Sequence, residues 1–405
     1  MKRFIVLLCL ASLPAHAYIE NRGLFPIGES EALMANAGVA LSGSAGAALF
    51  NPAGLASLKQ NKLSLTGNTY MAYRSELNPI VVYDNQDVNF RLSGTQAIPA
   101  SFISTWYKEP WTLAFTIAVP ELVRSSSISR YDTTNYDLLI SQMTDNQFMM
   151  VGIGAGTQLD AFDVGAGCFL GNYTSSTHIN FTAEPKPASP ILNAEVSSSY
   201  QHMDVKNLLC HVGVQKNWNE RNRWGFTLRL PSAHLEGKAE SSVFGQDNGG
   251  NRHSTGLLKK TARYDIPMDL SFGWANTSLR NTTLLADVSY QMKQSYTPIE
   301  DVDAPTENKS VLRYNLGIRF QLREQLSLVG GYSYNPGSTV LKESGDMNED
   351  FQSYAVGLES KQGATSMGLA LFRAFSKGES QLTPTRRSSL RSEATAILLT
   401  TGFTF

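Results

Sequence analysis

Arginine and aspartate recur on one parity of several alternating segments of this 405-residue chain, at Arg229, Arg263, Asp265, Asp269, Asp287, Arg313 and Arg319. A guanidinium presents a rigid fork of donors that meets a carboxylate at two points, so an anionic head group would find its partner among Arg229, Arg263, Arg313 and Arg319. The competing reading is internal pairing, since charges of both signs on one face neutralise each other. Histidine offers less. His211 shares the inward parity, His178 and His253 fall between segments, and His202 and His234 lie near segment ends, so no pair has the spacing of a metal site. Neither a metal nor a cofactor is expected. A lipid hydrolase would need an outward serine with a nearby histidine, but no strand-borne His-x-Ser spacing occurs, and His253-Ser254-Thr255 sits in a polar stretch. The chain is therefore expected not to be an enzyme.

A different kind of chemistry, steric closure, is written into Met34 to Leu58, MANAGVALSGSAGAALFNPAGLASL. Its glycines and alanines let backbone pack against backbone. Ser44 is placed to cap the run Ala45 to Phe50, and Asn51 followed by Pro52 restarts the chain, because Asn suits the N-cap and Pro the first helical position. The stretch has too little apolar bulk for a core of its own and is expected to fill the inside of something else. Phe50, Asn51, Pro52, Ala53 and Gly54 form its centre, a discrete capped turn that could shift as a unit and so act as a gate. The plainer alternative is a static filling.

The segments from Lys62 onward predict the container. Leu312, Tyr314, Leu316, Ile318, Phe320 and Leu322 alternate with Arg313, Asn315, Gly317, Arg319 and Gln321. Tyr264 to Trp274 and Trp224 to Leu230 repeat the pattern. Period two means a strand with one apolar and one polar face. Segments of this kind number about 14 between Lys62 and Phe405. Short turns at Lys108 to Pro110, Asp160, Asn219 to Asn222, Asn276 to Arg280, Leu322 to Gln325 and Lys361 to Gly363 alternate with long polar stretches. Those stretches, at Arg74 to Gln96, Pro120 to Asn146, Thr174 to Ser199, Glu236 to Thr255, Gln294 to Lys309, Asn335 to Asp350 and Ser376 to Arg391, are expected to be loops. Trp106, Trp111, Trp218, Trp224 and Trp274 all lie beside the short turns, as an aromatic girdle at one membrane face requires. The fold class expected is all-β: a transmembrane antiparallel β-barrel with an N-terminal hatch, or plug, of short helices in its lumen.

Targeting agrees. Lys2 and Arg3 precede the apolar run Phe4 to Leu13, and Ala15-His16-Ala17 supplies a small-residue cleavage site, so Tyr18 is expected to begin the mature chain; Cys9 lies mid-run behind Leu8, which argues against a lipoprotein site. The expected division is 1–17 signal peptide, 18–60 hatch and 61–405 barrel. Beyond the leader no apolar run reaches the ~20 residues of a membrane-spanning helix. A net charge of −1, with 17% charged residues and no basic stripe, makes nucleic acid an unsuitable partner. Cys168 and Cys210 share parity on consecutive segments, where an oxidising compartment permits a disulfide; the alternative is two small apolar residues. Arg386, Arg387 and Arg391 near the outer rim are candidates for lipopolysaccharide phosphates or a solvated loop. A monomer in outer-membrane lipid is expected.

The stretch that opens the mature chain also carries a resemblance. Ala37-Gly38-Val39-Ala40, Ala47-Ala48-Leu49-Phe50 and Asn51-Pro52-Ala53-Gly54-Leu55 resemble the G-A-G-x-A-x-A-L-Y/F-x-N-P-A-G-L kind of hatch signature of the FadL/TodX-type outer-membrane transporters for long-chain fatty acids and hydrophobic compounds. Ile98-Pro99-Ala100, Ile266-Pro267-Met268, Gly330 to Asn335 and Thr400 to Phe405 are weaker echoes. The resemblance implies a 14-stranded barrel closed by its hatch, passive uptake of a fatty acid or hydrocarbon from outside, and lateral release into the bilayer of the bacterial outer membrane. An alternative carried by relatives in protein secretion is a plugged barrel that docks secreted proteins. One departure is that Thr174 to Ser199 and Glu236 to Thr255 are short and polar where the family gathers ligand on apolar loop helices; Leu138, Leu139, Ile140 and Met143 are the substitute expected here.

Overall fold

The computed structural model describes residues 25–84, 86–187, 193–247, 249–343, 346–383 and 386–405. The leader, its cleavage after Ala17, and Cys9 lie outside the described residues. Fourteen antiparallel strands form the barrel. They are β1 Lys62–Tyr83, β2 Gln86–Lys108, β3 Trp111–Asp132, β4 Tyr136–Leu159, β5 Phe162–Pro185, β6 Glu195–Asn219, β7 and β8 in pieces, β9 Thr282–Gln291, β10 Val311–Arg323, β11 Leu326–Asn335, β12 Met347–Gln362, β13 Thr365–Thr383 and β14 Arg386–Thr404. β14 pairs back onto β1 from Lys62↔Thr404 to Asn78↔Ser389, so the sheet closes and leaves no edge. A membrane demands this, because no water is present there to satisfy a free ladder.

β7 consists of Asn222–Arg229 and Ala233–Gln246, and β8 of Arg252–Ser254, Leu258–Thr261 and Asp269–Asn276. Pro231 and Pro267 stand in the facing gaps, where each removes a ladder donor. A second irregularity separates β2 from β3. They pair only from Lys108↔Trp111 to Ser101↔Ala118, after which a bulge beside Pro120 turns β3 away. Side chains span the split: Gln96 Nε2 donates to Leu122 O at 2.6 Å, Arg124 N to Gln96 Oε1 at 3.2 Å, and Ser127 Oγ to Arg91 O at 2.7 Å.

The alternation faces lipid as expected. Leu312, Tyr314, Leu316, Ile318, Phe320 and Leu322 are all exposed, which is tolerable only against hydrocarbon. Trp106, Trp111, Trp218 and Trp274 are exposed beside the short turns, and Trp224 is the register partner of Trp274.

Three expectations need correction. The long polar loops are mostly strand: β1 ends at Tyr83 and β2 begins at Gln86, β3 and β4 run to within three residues of each other, β7 covers most of Glu236 to Thr255, and β13 and β14 likewise extend outward. Above the hydrocarbon both faces of a strand meet water or polar lumen, so the alternation fades while the backbone ladder continues. Second, Tyr264 does not face lipid. In the proline-broken gap of β8 its segment turns inward, and its ring stacks on Tyr173 at 4.0 Å. Third, Leu138 and Ile140 are not on a loop but point inward from β4, in an apolar collar with Leu77, Ile80, Phe90 and Phe181 inside the outer end of the barrel.

Cys168 and Cys210 are direct register partners of β5 and β6 and are joined by a disulfide.

Candidate functional site

The plug runs through the lumen as α1 Ser30–Leu33, α2 Ala47–Phe50 and a 3₁₀ turn Pro52–Ser57. Almost all of it is buried, including Leu33, Met34, Ala47, Ala48, Asn51, Ala53 and Leu55. Asn51 caps the 3₁₀ turn as its residue type predicts, with Oδ1 accepting from Ala53 N at 3.2 Å. Its Nδ2 donates to Val39 O at 2.8 Å, so one side chain ties the turn to the preceding loop. Ser44 has a different task from the helix cap expected of it. Gly46 occupies the cap of α2, and the Ser44 hydroxyl donates to Glu31 Oε2 at 2.9 Å while accepting from Gly46 N at 3.2 Å. A side chain already engaged by a buried carboxylate is held away from the first turn of α2.

The seat for the plug is cut into the wall by glycine. A Cβ on Gly213 would stand 1.9 Å from Asn51 Oδ1, one on Gly225 2.2 Å from Val39 O, and one on Gly331 2.2 Å from the Met34 carbonyl carbon. Polar side chains fasten what the glycines admit. Asp287 Oδ2 accepts from Gly38 N at 2.7 Å and Val39 N at 3.1 Å, and Gln215 Nε2 donates to Val39 O at 2.9 Å. Lys62 pairs with Glu29 at 2.7 Å, and Ser30 Oγ donates to Glu359 Oε1 at 2.7 Å. Thr227 Oγ1 donates to Phe50 O at 3.1 Å and Arg229 Nη2 to Leu49 O at 3.3 Å, so two carbonyls at the end of α2 are satisfied by the wall.

Glu31, on the plug rather than on a strand, lies among Gly28, Gly38 and Gly46. Burial pushes its carboxyl up to about 7. The raised folded value means that ionisation works against the seated plug: the contribution is complete below the ordinary carboxylate range and is lost as pH rises through about 7. Glu31→Gln should therefore flatten the pH dependence of plug protection between pH 5 and 8, read as maleimide labelling of a thiol placed at Leu49.

Between plug and collar lies a cavity of about 200 Å³. Leu49 and Phe50 of the plug, with Phe148, Met150, Phe169 and Leu209 of the wall, make one side apolar; Ser271, Ser289, Asn308 and Asn315 make the other polar.

The four candidate arginines do not converge. Arg229 and Arg313 line the cavity and both address Asp269, Arg313 in close contact and Arg229 at 3.7 Å. Arg263 pairs with Asp265 at 2.8 Å on the inturned segment and is half exposed. Arg319 pairs with Glu359 at 2.8 Å, next to the Ser30 bond that holds the plug. His211 also lines the cavity, edge to face with the Phe169 ring at 5.4 Å. Among the described residues no group of three or more His, Cys, Asp and Glu could hold a metal ion. Residue type alone does not mark Asp287 and Gln215 as plug anchors. A signal exists, since glycine recurs at inward parity on neighbouring strands, at Gly213, Gly225 and Gly273, which marks where another backbone must approach.

Known proteins share this architecture. The structure is similar to that of a FadL homologue from Pseudomonas aeruginosa, with 14% identity, TM-score 0.63, and 93% of this chain and 98% of that one covered. It is also similar to the toluene transporter TodX from P. putida, with 12% identity, TM-score 0.68, and 94% and 99% covered. The Ralstonia pickettii toluene transporter TbuX gives 11% identity, TM-score 0.62, and 94% and 99% covered. A search of curated proteins finds no significant match. The model of the outer membrane protein transport protein family (OMPP1/FadL/TodX) matches residues 28–404, almost everything from the plug to the last strand. The chain belongs to that family of outer-membrane β-barrel transport proteins.

Proposed function

We propose that this chain carries hydrophobic small molecules passively across the outer membrane: in through the apolar collar, into the cavity, and sideways into the bilayer. The carrying observation is that the apolar-sided cavity lies between the collar and a plug whose seat is cut to fit it. That leaves little route straight down the axis and gives an apolar solute a place to rest. Solved relatives described as toluene transporters and a monoaromatic hydrocarbon channel support the ligand class. At about 200 Å³ the cavity lies below the ~300–1,000 Å³ of common ligand pockets, which favours a compact hydrocarbon over a fully buried long acyl chain. In this reading Asn51, Pro52 and Ala53, with Phe50 and Gly54 beside them, are the gate, because one capped turn holds both ends of the plug loop.

For an acid ligand, Arg229 is the receptor. Arg263, Arg313 and Arg319 each have a close carboxylate partner, whereas Arg229 keeps Asp269 only at 3.7 Å and a carbonyl at 3.3 Å. Uptake of labelled toluene and oleate, in cells lacking other channels of this kind, should rise on expression of the chain. Arg229→Met should lower oleate uptake by about tenfold, on the order of one charge-assisted hydrogen bond, and leave toluene unaffected. Equal losses for both ligands would remove the carboxylate role. Normal uptake of both ligands in a deletion strain that mislocalises a secreted protein would favour the docking alternative.

A further inference from the structure

We infer that a row of arginines on the outer face of β14, β1 and β2 is a seat for the phosphorylated head group of lipopolysaccharide. Glu76 is the register partner of Arg391 on one side and of Arg91 on the other. Arg74 lies two residues below it on the same face, and Lys377, two residues above Phe375 on β13, extends the row. The row points away from the lumen: Arg74, Arg91, Arg391 and Lys377 are exposed, whereas Ser75, Leu77, Leu390 and Ser392, of the opposite parity, are buried.

The height is that of the head groups. Arg391 lies twelve residues from Phe403 at the periplasmic end of β14, roughly 30 Å for a tilted strand, so it stands just above the ~25 Å apolar band. Below it Ile397 and Leu399 are exposed to lipid. An aromatic belt marks the same level. It runs from Tyr314 and Tyr334, stacked at 5.7 Å, through Tyr332 and Tyr354 at 5.1 Å, to Phe375 at 5.8 Å from Tyr354. Such belts sit among the head groups. Phe375 is the register partner of Glu393, and Glu393 of Arg74, so the belt on β10 to β13 continues on β14, β1 and β2 as charge.

Charge selects the occupant. Arg74, Arg91, Arg373, Lys377 and Arg391 stand among Glu76, Glu393 and, at the β12 edge, Asp350, the register partner of Lys377. Five cations against three carboxylates leave the patch positive. The carboxylates also do not exhaust the donors. Arg74 and Arg91 both address Glu76 Oε1, Arg91 at 2.7 Å and Arg74 in close contact, so two guanidiniums share one acceptor atom and each keeps N–H groups to give. Asp350 in turn accepts from Gly337 N at 2.8 Å. A guanidinium fork meets phosphate oxygens at two points, which suits a row of forks to a sugar carrying phosphates. Arg386 and Arg387 stand apart from this seat. They lie further out on β14 and are closed by Asp87 at 2.6 Å and Glu379 at 2.8 Å.

The test is the affinity of the purified barrel in detergent for fluorescent lipopolysaccharide, read by anisotropy, with phosphatase-treated lipopolysaccharide as second probe and inorganic phosphate as competitor. The unaltered chain should prefer the phosphorylated form. Arg91→Gln with Arg391→Gln should weaken binding of that form by about tenfold and leave the dephosphorylated form unchanged, whereas Arg386→Gln with Arg387→Gln, which removes the same charge at the rim, should bind as wild type. Heat-modifiable gel migration checks folding. If the first pair fails to fold, Arg91→Lys with Arg391→Lys, which keeps the charge and loses the fork, should weaken binding by about threefold in its place. Equal affinity of the unaltered chain for both forms, or equal losses in the row and rim variants, overturns the assignment. Full displacement by inorganic phosphate overturns it too, since the row would then be a site for the free ion.

Discussion

Deleting Tyr18 to Leu58 should give the barrel a large, steady conductance, with the intact chain recorded beside it expected to show little. The barrel does not depend on the plug for its ladder, because every strand has both neighbours and β14 closes on β1. The loss is confined to packing inside the lumen. The wall bared by removal of the plug is mixed: Gln215, Thr227, Asp287 and Asp163, with the glycines that made room for the plug, are interspersed among apolar side chains such as Ile103, Phe372 and Leu398. An unplugged 14-stranded lumen with charged and polar groups in its wall is wide enough to admit water. The variant should still migrate as a folded barrel on unheated gels, admit polar solutes that the intact chain excludes, and lose any preference for hydrophobic ones. Planar-bilayer recordings decide it. A folded, plugless barrel with no conductance would mean that the outer collar, not the plug, is the seal.

The barrel was readable from sequence because lipid imposes a rule stronger than propensity: on strands such as β10, every second side chain must be apolar. The same rule explains where reading fails. Outside the hydrocarbon it no longer applies, so the outer halves of β1 to β6 look like polar loops, although their backbones pair without interruption. Pro267 defeats the pattern for another reason. Tyr264 keeps its parity in sequence but leaves the ladder in space, because without a donor at Pro267 the segment need not follow the sheet. At the site, Asn51 was predicted from its own chemistry, since a cap is a local property. The roles of Asp287 and Gln215 are hidden because each depends on a partner 174 to 249 residues away. The arginines show both sides of this. Parity put Arg229 and Arg313 on the cavity, while pairing, which parity does not report, left Arg229 with the weakest carboxylate contact of the four.

The sharpest test of the plug's seat is a side chain where none fits, and Gly213→Val should unseat the plug without unfolding the barrel. Gly213 is held on both sides, by Gly165 of β5 and Thr227 of β7, so the strand has no freedom to retreat. Its Cβ would lie 1.9 Å from Asn51 Oδ1, an overlap that only movement of Asn51 can relieve. Moving Asn51 breaks its bond to Val39 O and its cap on Ala53 N, at about 1 kcal/mol for the former and about 0.5–2 kcal/mol for the latter. Val39 is also an anchor for Asp287 and Gln215, so the strain passes to the rest of the loop. Gly330→Ala is the matched control, since its nearest neighbour would be at 3.4 Å, an ordinary contact. With the two native cysteines joined, a thiol introduced at Leu49 is the one free thiol among the described residues and reports on the plug directly. Maleimide should reach it rapidly in Gly213→Val and slowly in Gly330→Ala, and conductance should rise in the first alone. Slow labelling and silence in Gly213→Val would show that the plug tolerates displacement of its central turn, and the gate would then have to be sought away from Asn51, Pro52 and Ala53.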